Sequence, residues 1–218
     1  MPDLLNLNGR ALVDVDGVLS NFRKHVLDTV PGGTQMTVDD VTDYDVFSML
    51  GDPGEEMQKT LLRDPEWWRA IPVNSLANAG IVELRTRVDE LFFVTSPWWN
   101  CPGWEHARRA WLSDWFDAKN REVIPTSSKH IVNGQWFLDD RPEHVKAWIE
   151  EQVKLRPIVR AYLYDAPYNR DASGFYGRFT WARYLEDPEA FHLFPGLPDG
   201  HPVVEDAKRR GLGSWRGT

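Results

Sequence analysis

Asp14 and Asp16 stand two residues apart in the stretch Arg10 to Phe22, RALVDVDGVLSNF. Residues at that spacing leave an ideal strand on the same face. Two carboxylates so close repel unless a cation or a proton lies between them, so the pair asks for a metal ion or for acid/base work. Alone, Asp-Val-Asp-Gly is also a common polar turn. The chemical reading gains weight from the residues further along the chain. Thr95 and Ser96 end a second apolar run, Lys129 sits on a loop, and Asp139 and Asp140 come directly after the run QWFL. A hard divalent ion such as Mg2+ takes oxygen ligands, which the carboxylates supply. Hydroxyls, an ammonium group and backbone N–H groups suit a phosphate. Together these residue types are what metal-assisted phosphoryl transfer requires.

Such residues act together only if the chain brings them to one place. Ala11 to Val15, Glu90 to Val94, Glu122 to Ile124, Gln135 to Leu138 and Arg160 to Tyr164 read as short buried strands. Helical patterns run from Asn21 to Val30, Thr37 to Leu50, Pro53 to Arg63, Leu76 to Val88, Gly103 to Phe116 and Glu143 to Val153. Strands alternating with helices predict an α/β fold with a mainly parallel sheet, whose strand C-termini share one edge. The acidic, hydroxyl and lysine residues all fall at that edge.

The stretch between the first two strands is far longer than a loop inside a compact α/β unit and must carry structure of its own. Residues 21–72 are expected to form a small helical cap, with residues 1–20 and 73–218 as the core. Within the cap, Asp64 to Trp68 reads as a turn bearing an aromatic pair. The Pro- and Gly-rich tail from Leu193, with its basic patch Lys208-Arg209-Arg210, reads as a loosely held surface segment.

The chain has 218 residues and a net charge of -8, which argues against a nucleic-acid polymer as partner. Its single cysteine, Cys101, allows no intrachain disulfide. No stretch is long and apolar enough to span a membrane, and the N-terminus lacks a secretory pattern. A soluble cytoplasmic protein is expected. Among eleven tryptophans, some fall where a pocket is expected, and an exposed aromatic patch is a candidate homodimer interface.

In D14-V-D16-G-V, T95, K129 and D139-D140, taken in order, the chain resembles the haloacid dehalogenase superfamily of phosphohydrolases. In DVDGVLSNF, Trp67-Trp68, FFVTSPW, PTSSKHIV, FLDDRP and YDAPYN it is similar to the 5'(3')-deoxyribonucleotidase family. The resemblance implies a Rossmann-like core with a C1-type cap inserted after the first strand. It implies Asp14 as the nucleophile forming an aspartyl phosphate and Asp16 as general acid and base. Thr95, Ser96 and Lys129 would hold the phosphate. Asp14, the Asp16 carbonyl and Asp139 would ligate Mg2+, with Asp140 supporting them. Phe22, Trp67 and Trp68 match the positions of the family's base pocket. The chain departs from the family pattern at Trp67-Trp68, where smaller aromatics are expected, and at Asn21, where an acid is common. The implied substrate is a small phosphomonoester, a pyrimidine deoxynucleoside monophosphate such as dUMP or dTMP. A sugar phosphate or modified nucleotide is the alternative, as is a catalytically silent nucleotide-binding member.

Overall fold

The structure is a computed structural model that describes residues 9–155, 159–173, 175 and 177–191. The basic patch Lys208-Arg209-Arg210 and the tail from Leu193 lie outside the described residues. Strand β1 spans Arg10–Val13, β2 Glu90–Thr95, β3 Val123–Pro125, β4 Trp136–Asp139, β5 Arg160–Tyr164 and β6 Gly177–Phe179. They form one sheet in the order β3-β2-β1-β4-β5-β6, with every neighbouring pair parallel. Leu12 of β1 lies opposite Phe92 on one side and Phe137 on the other. This doubly wound order reverses direction between β1 and β4, the point at which such sheets open a crevice for ligands.

The two-residue period of the strands sorts their side chains onto two faces. Ala11, Val13, Leu91, Phe93, Trp136, Leu138 and Tyr162 pack in one cluster. Helices α5 (Ala77–Arg85), α6 (Trp104–Phe116) and α8 (Trp181–Glu186) cover it with Ile81, Leu84, Trp111, Leu112 and Tyr184. Leu12, Val94, Phe137, Ala161 and Leu163 point the other way, beneath Val145 and Trp148 of α7 (Pro142–Gln152). Helices α5 and α8 touch closely at Gly80, where an added Cβ would come within 2.0 Å of the Trp181 ring.

Between β1 and β2 lie α1 (Phe22–Thr29), α2 (Val46–Leu50), α3 (Asp52–Lys59) and α4 (Pro65–Arg69). The two stems of this insertion run side by side. Asn21 N–H donates to Pro72 O at 2.8 Å, and Asn74 N–H donates to Leu19 O at 2.6 Å. Val26, Leu27, Val46, Phe47, Met57, Leu62, Trp67, Trp68 and Ile71 form a hydrophobic cluster of their own, completed by Cys101, Trp104 and Ala107.

Three local expectations are corrected. The pattern from Thr37 to Leu50 is not one helix but a 3₁₀ turn, Val38–Asp40, followed by the short α2. Asp45 breaks it by accepting from the Phe47 and Ser48 N–H groups, and a side chain that caps a new helix ends the old one. The pattern from Pro53 likewise stops at Lys59, before a 3₁₀ turn, Leu61–Arg63. Asp64 to Trp68 is no turn: Asp64 caps α4 by accepting from Glu66 N–H, with Pro65 opening the helix.

His25, buried on α1, packs on the Trp67 ring at 4.6 Å, with Nε2 3.2 Å from the Trp67 carbonyl. Burial pushes its pKa below 6.5, outweighing that carbonyl and Asp28. Between the lowered value and 6.5 the unfolded chain binds the extra proton. Stability present above pH 6.5 is therefore lost as pH falls through the folded-state value. The urea midpoint should drop on acidification through this window, and His25→Gln should remove that part of the drop.

Candidate active site

Asp14 is the first residue after β1, and its N–H continues the sheet by donating to Leu138 O at 2.8 Å. Because β4 is the neighbouring strand, its last residue, Asp139, and the following Asp140 come beside Asp14. One oxygen from each of these three buried carboxylates lies within 4.8 Å of the others.

Lys129, in the 3₁₀ turn Lys129–Ile131, is buried and bridges two of them, with Nζ 2.6 Å from Asp14 Oδ1 and 2.8 Å from Asp139 Oδ2. Arg23, from α1, reaches Asp140 Oδ2 at 3.1 Å. Its guanidinium lies over the ring of Tyr168, at 3.6 Å, and near that of Tyr44, at 5.0 Å. The Tyr168 hydroxyl also donates to Asp140 Oδ2, and Asn169 Nδ2 donates to the Asp140 carbonyl at 2.8 Å. His144 places Nδ1 3.1 Å from Asp139 Oδ2, and the Arg141 N–H donates to Asp139 Oδ1 at 2.8 Å.

Gly17 permits this density. Its φ of 86° is a left-handed conformation, and a Cβ there would lie 2.1 Å from Asp140 Oδ2.

The three carboxylates face two paired cations, and the imbalance shows in their titration. Burial, reinforced by the charge of Asp139, raises the Asp14 pKa well above 3.8 against the pull of Lys129. Asp140 is raised by burial and by Asp139, with Arg23 opposing. Burial alone would raise Asp139 too, but Lys129 and His144 hold it at about 2. Lys129 is raised, because Asp139 and Asp14 outweigh its own burial. The three carboxylates converge within 4.8 Å of one another and their donors are all oxygen, so a divalent cation such as Mg2+ fits them.

Asp16 points elsewhere. Its Oδ1 accepts from Ser20 Oγ at 2.8 Å and from Arg108 Nη2 at 2.8 Å, and its Oδ2 lies 3.1 Å from the same Nη2. A cavity of about 450 Å3 opens over Asp14, Asp16 and Lys129. Phe22, Phe47, Trp68 and Trp98 line it, together with Ser96, Arg141 and His144. Phe22 and Trp68 stack with centroids 5.8 Å apart.

Among the sequence-predicted residues, Asp14, Asp16, Phe22, Trp68, Ser96 and Lys129 line this cavity, and Asp139 and Asp140 adjoin Asp14. Trp67 does not line it. Its ring lies inside the helical layer, edge-on to Phe22 and Trp68, and its Nε1 donates to Thr29 Oγ1 at 3.0 Å. Thr95 is fully buried at the end of β2, and its Oγ1 has no hydrogen-bond partner among the described residues.

Arg23, Tyr44, Phe47, Trp98, Arg108 and His144 escaped the sequence reading. The signal for Arg108 was there: with Trp104, Ala107, Trp111 and Leu112 it occupies the buried stripe of α6, where a cation needs a partner.

No family model and no curated protein matches the chain. Among solved structures, one described as a haloacid dehalogenase-like hydrolase from Burkholderia xenovorans LB400 aligns at 14% identity. It covers 84% of this chain and 98% of its own, with a TM-score of 0.49. A haloacid dehalogenase superfamily hydrolase of subfamily IA from Geobacter sulfurreducens PCA also aligns at 14% identity, covering 84% and 96%, with a TM-score of 0.47. These are distant likenesses, and the chemistry of the site rests on its own residues.

Proposed function

We propose that the chain is a Mg2+-dependent phosphomonoester hydrolase of the haloacid dehalogenase type, working through an aspartyl phosphate on Asp14. The observation that carries this reading is the placement of Asp14. It lies at the sheet's reversal point, 2.6 Å from a buried lysine, beside two further carboxylates and under a cavity.

Asp14 attacks phosphorus and the bond to the leaving oxygen breaks, while Asp16 gives that oxygen its proton. Water then attacks the aspartyl phosphate, Asp16 takes the proton, and Asp14 is restored. Lys129 and Ser96, which line the cavity, hold phosphoryl oxygens, and Thr95, buried directly before Ser96 with its Oγ1 unpartnered among the described residues, is a further candidate donor for the phosphate. Asp14, Asp139 and the Asp16 carbonyl would hold Mg2+, with Asp140 in support. Bound there, the ion offsets the charge on the phosphoryl oxygens.

The helical layer of residues 21–72 serves as a cap, and its rings favour a flat substrate. Phe22, Phe47, Trp68 and Trp98 give the cavity an aromatic lining, with Phe22 and Trp98 partly exposed, and an aromatic wall suits a nucleobase, so a pyrimidine deoxynucleoside monophosphate is the proposed substrate. Phosphate release from dUMP, dTMP, ribonucleotides and sugar phosphates, with Mg2+ or with a chelator, tests this. Selective release from dUMP or dTMP supports the nucleotidase reading. Turnover of sugar phosphates alone replaces it, and silence on every ester contradicts phosphohydrolase activity.

His144, with Nδ1 3.1 Å from Asp139 Oδ2, fixes the orientation of that carboxylate. His144→Ala should weaken Mg2+ binding about 10- to 100-fold, read by calorimetric titration of the folded protein.

A further inference from the structure

Arg108 is fully buried on α6, and its guanidinium lies among three tryptophan rings: Trp68 at 5.3 Å, Trp111 at 5.5 Å and Trp104 at 5.8 Å. Its Nε and Nη1 have no hydrogen-bond partner among the described residues. Its one carboxylate partner among the described residues is Asp16, met through Nη2 at 2.8 and 3.1 Å. An apolar side chain would fill such a cage without the cost of desolvating a cation, so packing alone does not account for arginine here. What arginine adds is a fixed direction for the Asp16 carboxylate. Ser20 and Arg108 both donate to Oδ1, while Oδ2 keeps the longer contact with Arg108 and no other among the described residues.

We propose that Arg108 is a positioning residue that aims Asp16 at the leaving oxygen of the substrate. This rests on the phosphohydrolase reading above. In the step concerned, the Asp14–phosphorus bond forms, the bond from phosphorus to the leaving oxygen breaks, and the proton of Asp16 passes to that oxygen. Arg108 is unchanged by the step and acts only through Asp16.

A proton donor matters most when the leaving group is basic, which separates positioning from a general structural role. The test compares kcat/KM on p-nitrophenyl phosphate, whose leaving group departs readily as an anion, with phenyl phosphate, whose leaving group needs the proton. Arg108→Met should lose on the order of 10²-fold on phenyl phosphate and less than about tenfold on p-nitrophenyl phosphate. Arg108→Lys, which keeps the charge in the cage, serves where the methionine variant does not fold, and should show the same bias at smaller size. In an Asp16→Asn background, Arg108→Lys should add no further bias. Equal losses on both esters, or an undiminished bias in the Asp16→Asn background, overturn the proposal while leaving the phosphohydrolase reading intact. A wild-type protein that splits neither these esters nor any monophosphate of the panel above, or an Asp14→Asn protein that splits both esters, overturns that reading and the proposal with it.

Discussion

Asp14→Asn is expected to reduce phosphate release by about 10⁴- to 10⁶-fold, the loss found when a nucleophile that works as part of a unit is removed. The fold should survive. Asn is close in shape to Asp, and the Asp14 carboxylate is one whose charge the site holds at a cost, as its raised pKa shows. Removing that charge leaves Lys129 paired to Asp139 at 2.8 Å. Thermal stability should therefore stay level or rise while activity vanishes, a pairing that marks a residue kept for chemistry. Side-by-side melting curves and phosphate assays of the two proteins check both halves. A large loss of stability would mean that Asp14 is mainly structural.

Lys129→Met should do the opposite to the fold. Lys129 is buried against Asp14 and Asp139, and removing one partner of a buried pair costs about 3–5 kcal/mol because the remaining charge loses its compensation. Here two carboxylates lose their cation. Chemical denaturation without divalent ions should show a loss of that size, and Mg2+ should restore part of it, since a ligand that binds only the folded state stabilises it by mass action. The gain from Mg2+ should be larger in Lys129→Met than in the wild type. Activity should fall as well, as the phosphoryl oxygens lose an ammonium group. If Mg2+ stabilises neither protein, the carboxylate cluster is not a cation site.

The strands that carry the site were legible because each is an apolar run ending in polar residues. The five expected strands lie within a residue or two of those observed, and in a parallel sheet that suffices to bring Asp14, Lys129, Asp139 and Asp140 together. Strand β6 was missed because Gly-Arg-Phe offers one buried apolar side chain and no alternation to read. Helix α4 was missed because Asp-Pro reads as a turn, although the same dipeptide can cap and open a helix. The rest of the site was hidden for a different reason. Arg23 meets Asp140, 117 residues away, and Arg108 meets Asp16, 92 residues away, so neither pairing leaves a local pattern. Trp67 and Trp68 are adjacent and look equivalent in sequence. Both pack into the helical layer, and Trp68 alone of the two also borders the cavity, a distinction that only packing makes.

The most direct test of Asp14 as the nucleophile is to trap the phosphorylated enzyme. Rapid quenching during turnover, followed by borohydride reduction and peptide mass spectrometry, converts an aspartyl phosphate to homoserine at the residue that carried it. That change is expected at Asp14 alone, dependent on substrate and absent from Asp14→Asn. Turnover with no modified aspartate, or with the mark on Asp16, Asp139 or Asp140, would contradict an aspartyl phosphate on Asp14.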